Sequence, residues 1–479
     1  MTHHATVRTL RPGTWLPGSR TGRLIDTVTN NIFSSQDATR RKILKFGAAA
    51  SALPWVHIRT AAAAGKLNVF FWDHWVPAGN AVLKQQVMAW AEQNKVETNI
   101  DFITSVGQKT LLTINAQAQA RRGHDLFTVA NWNVRDHADK MEPVSDVVGR
   151  LEAKYGAADR VSQYLGRVKN QWAAIPCSWG TQNKGPAARI SMMKEFAGID
   201  IKKMYPAADG PETPEAKEWT FQAMLKAAEA CFKADKPFAI GLGTTADSVD
   251  TAGAILAGFG AELVDAKGKL AIKSDAMRQA LEYAQQLVKW LPPEAQSFDD
   301  ASNNRALISN NSALIWNPPS AWAVAVRDSP AVAADTWHFP APAGPKGRFM
   351  PHSTQFFAIW EFAQNKTAAK ALAEHLMQID NVDARSIAVM GYDLPPYQKM
   401  TESRVWDTVG PPTGTVYNYP VRKQHNQVEH LAMMPAPPEI AVQMYNRGTL
   451  PTMFAKIKAG QTIPQAIAWA TEEIEGFLS

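Results

Sequence analysis

The chain has 479 residues, of which 46% are hydrophobic and 20% charged, which is typical of globular proteins and is long enough for two domains. Its formal net charge of +6 suggests an acidic partner. However, residues 1–64 carry nine basic and two acidic residues, whereas residues 65–479 carry 41 basic and 42 acidic residues. Because the body of the chain is nearly neutral, a nucleic-acid-binding surface is disfavoured.

The basic head of the chain has the layout of an export signal. The pair Arg40 and Arg41 precedes an apolar run from Phe46 to Val56. This run of 11 residues is shorter than the roughly 20 that span a bilayer, which favours a cleaved signal over an anchor. The segment resembles a twin-arginine signal peptide, so we expect cleavage near Ala64 and the twin-arginine translocase as a partner during export. The length before Arg40 fits either an extended n-region or an upstream start.

After the signal, short β-rich runs alternate with helix-length amphipathic stretches, which predicts an α/β fold with mainly parallel sheets. The first predicted elements are a strand at 66–72, a helix at 80–93, a strand at 96–105, a helix at 108–123 capped by Gly123, and a strand at 124–132.

A proline and a glycine interrupt the alternation at 173–183, which predicts a strand that crosses out of the first lobe. The elements predicted after it are a helix within 214–235 with Thr220 as N-cap, a strand at 236–242, a helix and hairpin at 251–272, a helix at 274–290 with Ser274 as N-cap, a strand leading into a helix at 311–322, a strand at 356–361 and a helix at 365–379.

Motifs for metals and catalysis are sparse. Cys177 and Cys231 are predicted to be buried free thiols, and no Cys/His spacing suits structural zinc. The string "SMMK" from Ser191 to Lys194 has the Ser-x-x-Lys spacing of penicillin-binding enzymes but lacks their other motifs, and "GLGTTA" at 241–246 lacks the lysine of a P-loop. We therefore expect no catalytic residues, no cofactor and no metal.

Several strings follow one another in a characteristic order. They are "LNVFFWDHW", "ARRGHDLFTVANW" with Gly123 and Asp125, "IPCSWG", "EWTFQAMLKAAEA", "NSALIWNPPSAW", "FPAPAGPKG", "GYDLPPY" and "FAKIKAGQTIPQAIAWATEEI". This order resembles that of the extracellular solute-binding proteins of ABC importers, in the sugar-binding branch that includes maltose-binding proteins. Two strings depart from the family pattern: "TQNKGPAARISMMKEFAGID" lacks the usual Tyr-Asn, and "WNPPSAW" replaces Gly-Pro-Trp.

The resemblance implies a two-lobed periplasmic-binding-protein fold with a hinge and a ligand cleft between the lobes. After the signal region 1–64, lobe 1 is predicted to comprise 65–180 and 340–395, and lobe 2 to comprise 181–339 and 396–479. The implied function is that of a monomeric periplasmic protein that delivers a sugar or sugar derivative to an ABC permease and ATPase complex in the inner membrane. Two alternatives stay open: a polyol, glycerol phosphate or osmolyte as ligand, and an exported carbohydrate-active enzyme that uses Asp73 or Asp393.

The ligand residues are predicted from the rule that ligands of open α/β sheets bind beyond the carboxyl ends of the strands. Aromatic faces suit the C–H faces of sugars, and carboxylate, amide and imidazole groups suit their hydroxyls. Core packing is the alternative for each tryptophan. The candidates are Trp72, Asp73, His74, Trp75, Ser105, Asn131, Trp132, Trp179, Trp316, Asn317, Trp322, His352, Ser353, Tyr392 and Asp393.

Overall fold

A computed structural model describes residues 65–204, 211–400 and 427–478, and the signal predicted at 1–64 lies outside these residues. The strands are, in chain order, β1 Lys66–Trp72, β2 Glu97–Ile103, β3 Leu126–Ala130, β4 Arg167–Val168, β5 Gln171–Trp172, β6 Ile175–Asn183, β7 Gly185–Arg189, β8 Leu314–Asn317, β9 Thr336–His338, β10 Arg348–Ile359 and β11 Gln427–His430.

The α-helices lie between and after these strands. They are α1 Pro77–Asn94, α2 Lys109–Ala120, α3 Asn133–Asp136, α4 Ser145–Tyr155, α5 Arg160–Gly166, α6 Ile190–Ala197, α7 Pro214–Glu218, α8 Phe221–Lys233, α9 Ala246–Phe259, α10 Asp275–Leu287, α11 Ser302–Ile308, α12 Ser320–Asp328, α13 Pro330–Ala334, α14 Lys366–Leu376, α15 Ile379–Ala388, α16 Pro438–Asn446, α17 Thr449–Lys458 and α18 Ile463–Leu478. Short 3-10 turns occupy Val106–Gln108, Ala138–Lys140, Ile201–Met204, Val288–Trp290, Pro293–Ser297 and Gln398–Met400.

The larger sheet has the strand order β11-β10-β3-β1-β2, and β6 also pairs with β10. Strand β1 lies between β3 and the edge strand β2 and is parallel to both. Leu67, Val69, Phe70 and Phe71 of β1 are fully buried, because both faces of this strand are covered. The predicted first strand is therefore confirmed as part of the core.

The smaller sheet has the order β8-β7-β9 and is antiparallel throughout. Strand β10 is also antiparallel to β3 and β6 in the larger sheet. The prediction of mainly parallel sheets is therefore wrong for the smaller sheet and for the pairs that β10 forms with β3 and β6, whereas β10 and β11 are parallel. Local sequence patterns indicate which segments form strands. Whether two strands are parallel or antiparallel depends on the path of the chain that connects them.

Several helix starts agree with the sequence. The side chains of Thr220, Ser274 and Asn365 accept hydrogen bonds from backbone N–H groups in the first turns of α8, α10 and α14. The end predicted for α2 is wrong, because this helix stops at Ala120 and Arg121 caps it in the left-handed conformation with φ 48°.

The strand predicted at 236–242 is also absent from the described structure. The N–H of Ala239 donates to the carbonyl of Leu314 at 2.8 Å, so the segment lies beside β8. Pro237 has no N–H, which prevents a regular ladder at the start of the segment. Cys177 and Cys231 are buried and free, which confirms the prediction for both.

The two sheets are joined where β6 ends at Asn183 and β7 begins at Gly185, with Lys184 between them. Helices α16–α18 follow β11, and α17 packs against α9 and α10. Strand β11 pairs with β10 of the larger sheet, although the sequence assigned 396–479 to lobe 2. The rest of the predicted lobe division stays a prediction. In the described part of the chain, no helix combines the length and apolar character needed to traverse a bilayer.

Candidate functional site

A cavity of about 430 Å³ is lined by residues that follow the strands of both sheets. The larger sheet contributes the ends of β1, β2 and β3, and the smaller sheet contributes the end of β8. The start of α9 also lines the cavity. The crossing strands β6 and β10 contribute the residues between them. Side chains from both sheets therefore surround one space, as the rule on strand ends predicts.

Among the residues predicted from sequence, those that line this cavity are Trp72, Trp75, Ser105, Asn131, Asn317, Ser353 and Tyr392. They come from six strand ends or crossings, so the structure brings together positions that are distant in sequence. Their contact with a ligand stays a prediction.

Trp72, Trp75 and Tyr392 give the cavity an aromatic wall. The ring centroids of Trp72 and Tyr392 are 6.0 Å apart. Trp72 is only 6% exposed, whereas Trp75 is half-buried. Trp72 is therefore part of both the core and the wall, and Trp75 has the larger free surface.

Asn131 fixes the polar part of the wall. It follows β3 with φ 45°, a left-handed conformation that asparagine tolerates better than most residues. Its Nδ2 donates to the hydroxyls of Ser353 at 3.0 Å and Tyr445 at 3.1 Å. Its Oδ1 accepts from the N–H of Thr354 at 2.9 Å. One amide thus joins β3, β10 and α16 at the edge of the cavity.

His74 and Asp393 do not line the cavity, contrary to the prediction. His74 Nε2 lies 3.1 Å from Asp393 Oδ1, and both side chains have no exposed surface. His74 Nδ1 accepts from the N–H of Val76 at 2.9 Å, so Nε2 carries the proton and donates to Asp393. The rings of Trp179 and Tyr392 enclose His74 at 4.9 and 4.6 Å. The pair is a packed polar contact beneath the cavity wall.

The remaining candidates also lie away from the cavity. The indole of Trp132 donates to the carbonyl of Ala432, and that of Trp179 donates to the carbonyl of Trp72. These bonds fix both rings inside the core, where neither is exposed. A buried tryptophan after a strand is therefore a packing element here.

Four further candidates lie outside the cavity lining, each for a separate reason: Trp316, Trp322, His352 and Asp73. Trp316 precedes Asn317 on β8 and so faces the opposite side of that strand. Trp322 packs edge-on against Trp337 at 4.7 Å. His352 Nδ1 lies 2.7 Å from Asn183 Oδ1. Asp73 is exposed and accepts from Asn80 Nδ2 at 2.6 Å.

A charged group that the sequence analysis missed lies at the crossing between the lobes. Lys184 Nζ lies 2.7 Å from Asp250 Oδ2 and 3.0 Å from Asp247 Oδ1, and its side chain is 3% exposed. Burial alone lowers the pKa of Lys184, but Asp250 and Asp247 raise it well above its usual value. Lys184 is therefore charged and bound to two carboxylates of α9.

Asp300 is a second missed residue. It lines the cavity and is partly buried. Burial, followed by the neighbouring charge of Asp247, raises its pKa to about 7. Within the described part of the chain, its carboxylate has no hydrogen-bond or ion-pair partner.

The rule on strand ends contained a signal for part of this wall. The segment 243–247 follows a buried run and includes the start of α9, and it lines the cavity. The sequence analysis compared this segment only with a P-loop. No local pattern distinguishes Lys184 or Asp300 from other charged residues in the sequence.

Among the described residues, no group of three or more His, Cys, Asp or Glu side chains is arranged to hold a metal ion.

Comparisons with known proteins extend these observations. Residues 75–378 match the family model for bacterial extracellular solute-binding proteins. No curated protein matches the chain. MalE3 of T. maritima with bound maltose is similar with a TM-score of 0.65 at 16% identity, over 87% of this chain and 100% of that one.

Two further solved structures show the same likeness. An ABC transporter solute-binding protein from Thermotoga lettingae, bound with alpha-D-tagatose, has a TM-score of 0.67 at 15% identity, over 87% of this chain and 100% of that one. A sugar transporter from Arthrobacter chlorophenolicus with bound laminaribiose has a TM-score of 0.67 at 13% identity, over 86% of this chain and 98% of that one. At these identities the likeness establishes the two-lobed fold.

Proposed function

Because the chain belongs to the family of bacterial extracellular solute-binding proteins, we propose that it is the substrate-binding component of an ABC importer. It captures a small polar solute, a sugar or sugar derivative, and presents it unchanged to a membrane permease with its ATPase. The observation that carries this proposal is the cavity lined from both sheets by aromatic and amide side chains.

The two-sided lining supports a mechanism of closure around the ligand. A solute that contacts Trp72 and Asn131 on one side and Asn317 on the other gains contacts from both lobes only when they are close together. Such differential contact stabilises the closed form over the open form. The crossing segments at 183–185 and in β10 connect the lobes and are the candidate hinge.

The side-chain chemistry supports a sugar. Trp72 and Trp75 offer flat apolar faces, whereas Asn131, Asn317 and Ser353 offer amide and hydroxyl groups. A linear polyol or an osmolyte offers hydroxyl or polar groups without a flat ring face. The neighbours named above hold maltose, alpha-D-tagatose and laminaribiose.

Glycerol phosphate fits less well. Lys184 is the basic residue among the described lining residues, and it is already bound to Asp247 and Asp250. Asp299 and Asp300 line the same wall. A phosphate would therefore meet carboxylates without a free cation to balance its charge.

The family assignment supports an exported protein. The predicted signal at 1–64 supports export by the twin-arginine translocase, cleavage near Ala64 and function in the periplasm. We propose a monomer, since a solute held between two lobes of one chain needs no second copy.

A ligand screen tests this function. The mature chain is expected to show a higher melting temperature and a saturable change in tryptophan fluorescence with at least one sugar, because binding to the native state alone stabilises it. Mass spectrometry of the recovered solute then distinguishes a binder from an enzyme. A chain that responds to no sugar, polyol or osmolyte contradicts the proposal.

Turnover of the solute in that experiment favours the alternative of an exported carbohydrate-active enzyme. The carboxylates that the sequence offered for it were Asp73 and Asp393. Asp73 is exposed and lies outside the cavity lining, and Asp393 is fully buried in its pair with His74. Neither is placed to act on a solute in the cavity, which argues against the enzyme that the sequence offered.

A further inference from the structure

The charges on the cavity wall are unequal. In the described lining, the acidic residues are Asp247, Asp299 and Asp300, and the basic residue is Lys184. Lys184 bonds both Asp247 and Asp250, so these three residues together carry about one negative charge. Asp299 is balanced by Arg305 at 2.9 Å. Asp300 adds a carboxylate that has no ion-pair partner among the described residues, and the charge of Lys184 offsets its charge only in part.

The ionised form of Asp300 is also destabilised at this position. Its carboxylate is partly removed from water and lies near the charge of Asp247, and these two effects raise its pKa to about 7. Asp299, its neighbour in sequence, has a lowered pKa because Ser302 donates a hydrogen bond to it and burial opposes this only partly. Of these adjacent carboxylates, one is satisfied by the protein and the other faces the cavity without a partner.

The wall contains a further unused acceptor. Gln182 lines the cavity and is 8% exposed. Its Oε1 has no hydrogen-bond partner among the described residues. Buried polar atoms in native structures normally have a partner. Unpaired acceptors on Gln182 and Asp300 favour a ligand that brings hydrogen-bond donors.

The aromatic residues point to the same kind of ligand. Trp72, Trp75 and Phe298 line the cavity, and Phe298 lies two positions from Asp300. Aromatic faces attract ammonium groups as well as sugar faces. A cation beside Asp300 would thus be received by both a carboxylate and ring faces.

We propose that the solute of this protein carries an ammonium group, as an amino sugar or an amino polyol does, and that Asp300 receives it. This proposal rests on the proposed function, since it concerns the ligand of the same cavity. The ammonium supplies the missing countercharge and two or three N–H donors. A charge-assisted hydrogen bond of this kind is roughly twice as strong as a neutral one, so the amino group distinguishes the solute from its hydroxyl counterpart.

Matched sets of small compounds test the proposal. The first set is D-glucosamine, D-glucose, N-acetyl-D-glucosamine and glucose 6-phosphate, the second is the same series on galactose, and the third is glucamine with sorbitol. Binding of each is measured by calorimetry and thermal shift on the mature chain near pH 7. In at least one set, the amine is expected to bind about tenfold or more tightly than its neutral counterparts.

Two variants locate the effect. Asp300→Asn keeps the shape of the side chain and removes its charge, so the preference for the amine is expected to fall to about threefold or less. Asp275→Asn removes the same charge from a residue that is 89% exposed and outside the cavity, so it is expected to keep the preference. Circular dichroism and melting curves confirm that both variants fold.

The outcomes separate the two proposals. Equal or tighter binding of a neutral sugar, a polyol or a sugar phosphate overturns the ammonium assignment and leaves the solute-binding function standing. An amine preference that persists in Asp300→Asn overturns the role of Asp300. A wild-type chain that binds no member of the three sets overturns the ammonium proposal, whereas the solute-binding function is overturned only if the wider screen of sugars, polyols and osmolytes also finds no ligand.

Discussion

Lys184 Nζ lies 2.7 Å from Asp250 Oδ2 in a contact from which water is excluded, since the two side chains are 3% and 1% exposed. The lysine belongs to the segment that joins the two sheets, and the aspartate belongs to α9. The pair therefore anchors α9, which contributes to the cavity wall, to the crossing segment. This relationship leads to the first prediction.

Lys184→Met is expected to lower the free energy of unfolding by about 3–5 kcal/mol, because it leaves Asp250 buried without its cation. Urea denaturation followed by circular dichroism measures the change. Adding Asp250→Asn is expected to recover part of the loss, since the buried charge is then gone. Lys233→Met is the control, because its pair with Glu229 on α8 is solvent-exposed. Equal loss in both single variants would argue against a buried ion pair.

Asp300→Asn is expected to stabilise the unliganded protein above neutral pH. The folded-state pKa of Asp300, about 7, is raised above its ordinary value of 3.8. The native state therefore holds the proton more tightly than the unfolded state, and this group lowers stability as pH rises from about 4 to about 7. The Asp300→Asn variant has no such titrating group. Its free energy of unfolding is therefore expected to exceed that of the wild type by an amount that grows across this pH range to the order of 1–3 kcal/mol and is then constant.

Melting curves of wild type and Asp300→Asn from pH 4 to pH 8 measure this difference. Asp275→Asn shows how much an exposed aspartate contributes to the same curve. A difference that is largest at pH 4, or that has the same size at every pH, contradicts the raised pKa of Asp300.

Asn131→Ala is expected to lower the free energy of unfolding by about 2–4 kcal/mol. It removes the hydrogen bonds to Ser353, Tyr445 and Thr354, and it places alanine in a left-handed conformation. Asn131→Gly separates these contributions, because glycine tolerates this conformation but lacks the amide. If the amide dominates, the glycine variant loses nearly as much stability as the alanine variant in denaturant titrations.

Trp75→Ala is expected to raise the Kd for a bound sugar about tenfold with little change in melting temperature, because Trp75 is half-buried at the cavity wall. Trp72→Ala should affect both properties, since Trp72 is 6% exposed and also lines the cavity.

Phe70→Ala is the matched core change on the same strand. It is expected to lower the free energy of unfolding by about 3–5 kcal/mol and to leave the Kd of the folded fraction unchanged. Titration by intrinsic fluorescence and thermal denaturation report the two properties separately. A Trp75→Ala variant that loses stability but keeps its affinity would place Trp75 in the core.

Local signals in the sequence were sufficient for much of the fold. The apolar run of β1 predicted a buried first strand. The polar residues Thr220 and Ser274 predicted the starts of α8 and α10, because an N-cap interacts only with the first turn of its own helix. The strand at 236–242 was predicted by the same kind of pattern and is wrong. Its apolar side chains are buried beside β8, but burial does not require a ladder.

The sequence by itself determined the nearly neutral body, the alternation of strands and helices, and the prediction that strand ends such as Trp72 and Asn131 border a cleft. Each depends on composition or on residues close together in the chain. Only the tertiary structure decided that His74 pairs with Asp393 beneath the wall, although they are 319 positions apart.

The tertiary structure also placed Lys184 against Asp250, 66 positions away. It left Asp300 facing the cavity without a partner in the described chain. The physical reason is that the charge, burial and partners of a polar side chain depend on which distant segments pack around it. The sequence gives the chemical type of each side chain, whereas the packing of distant segments decides whether that side chain lies in the core or lines the ligand cavity.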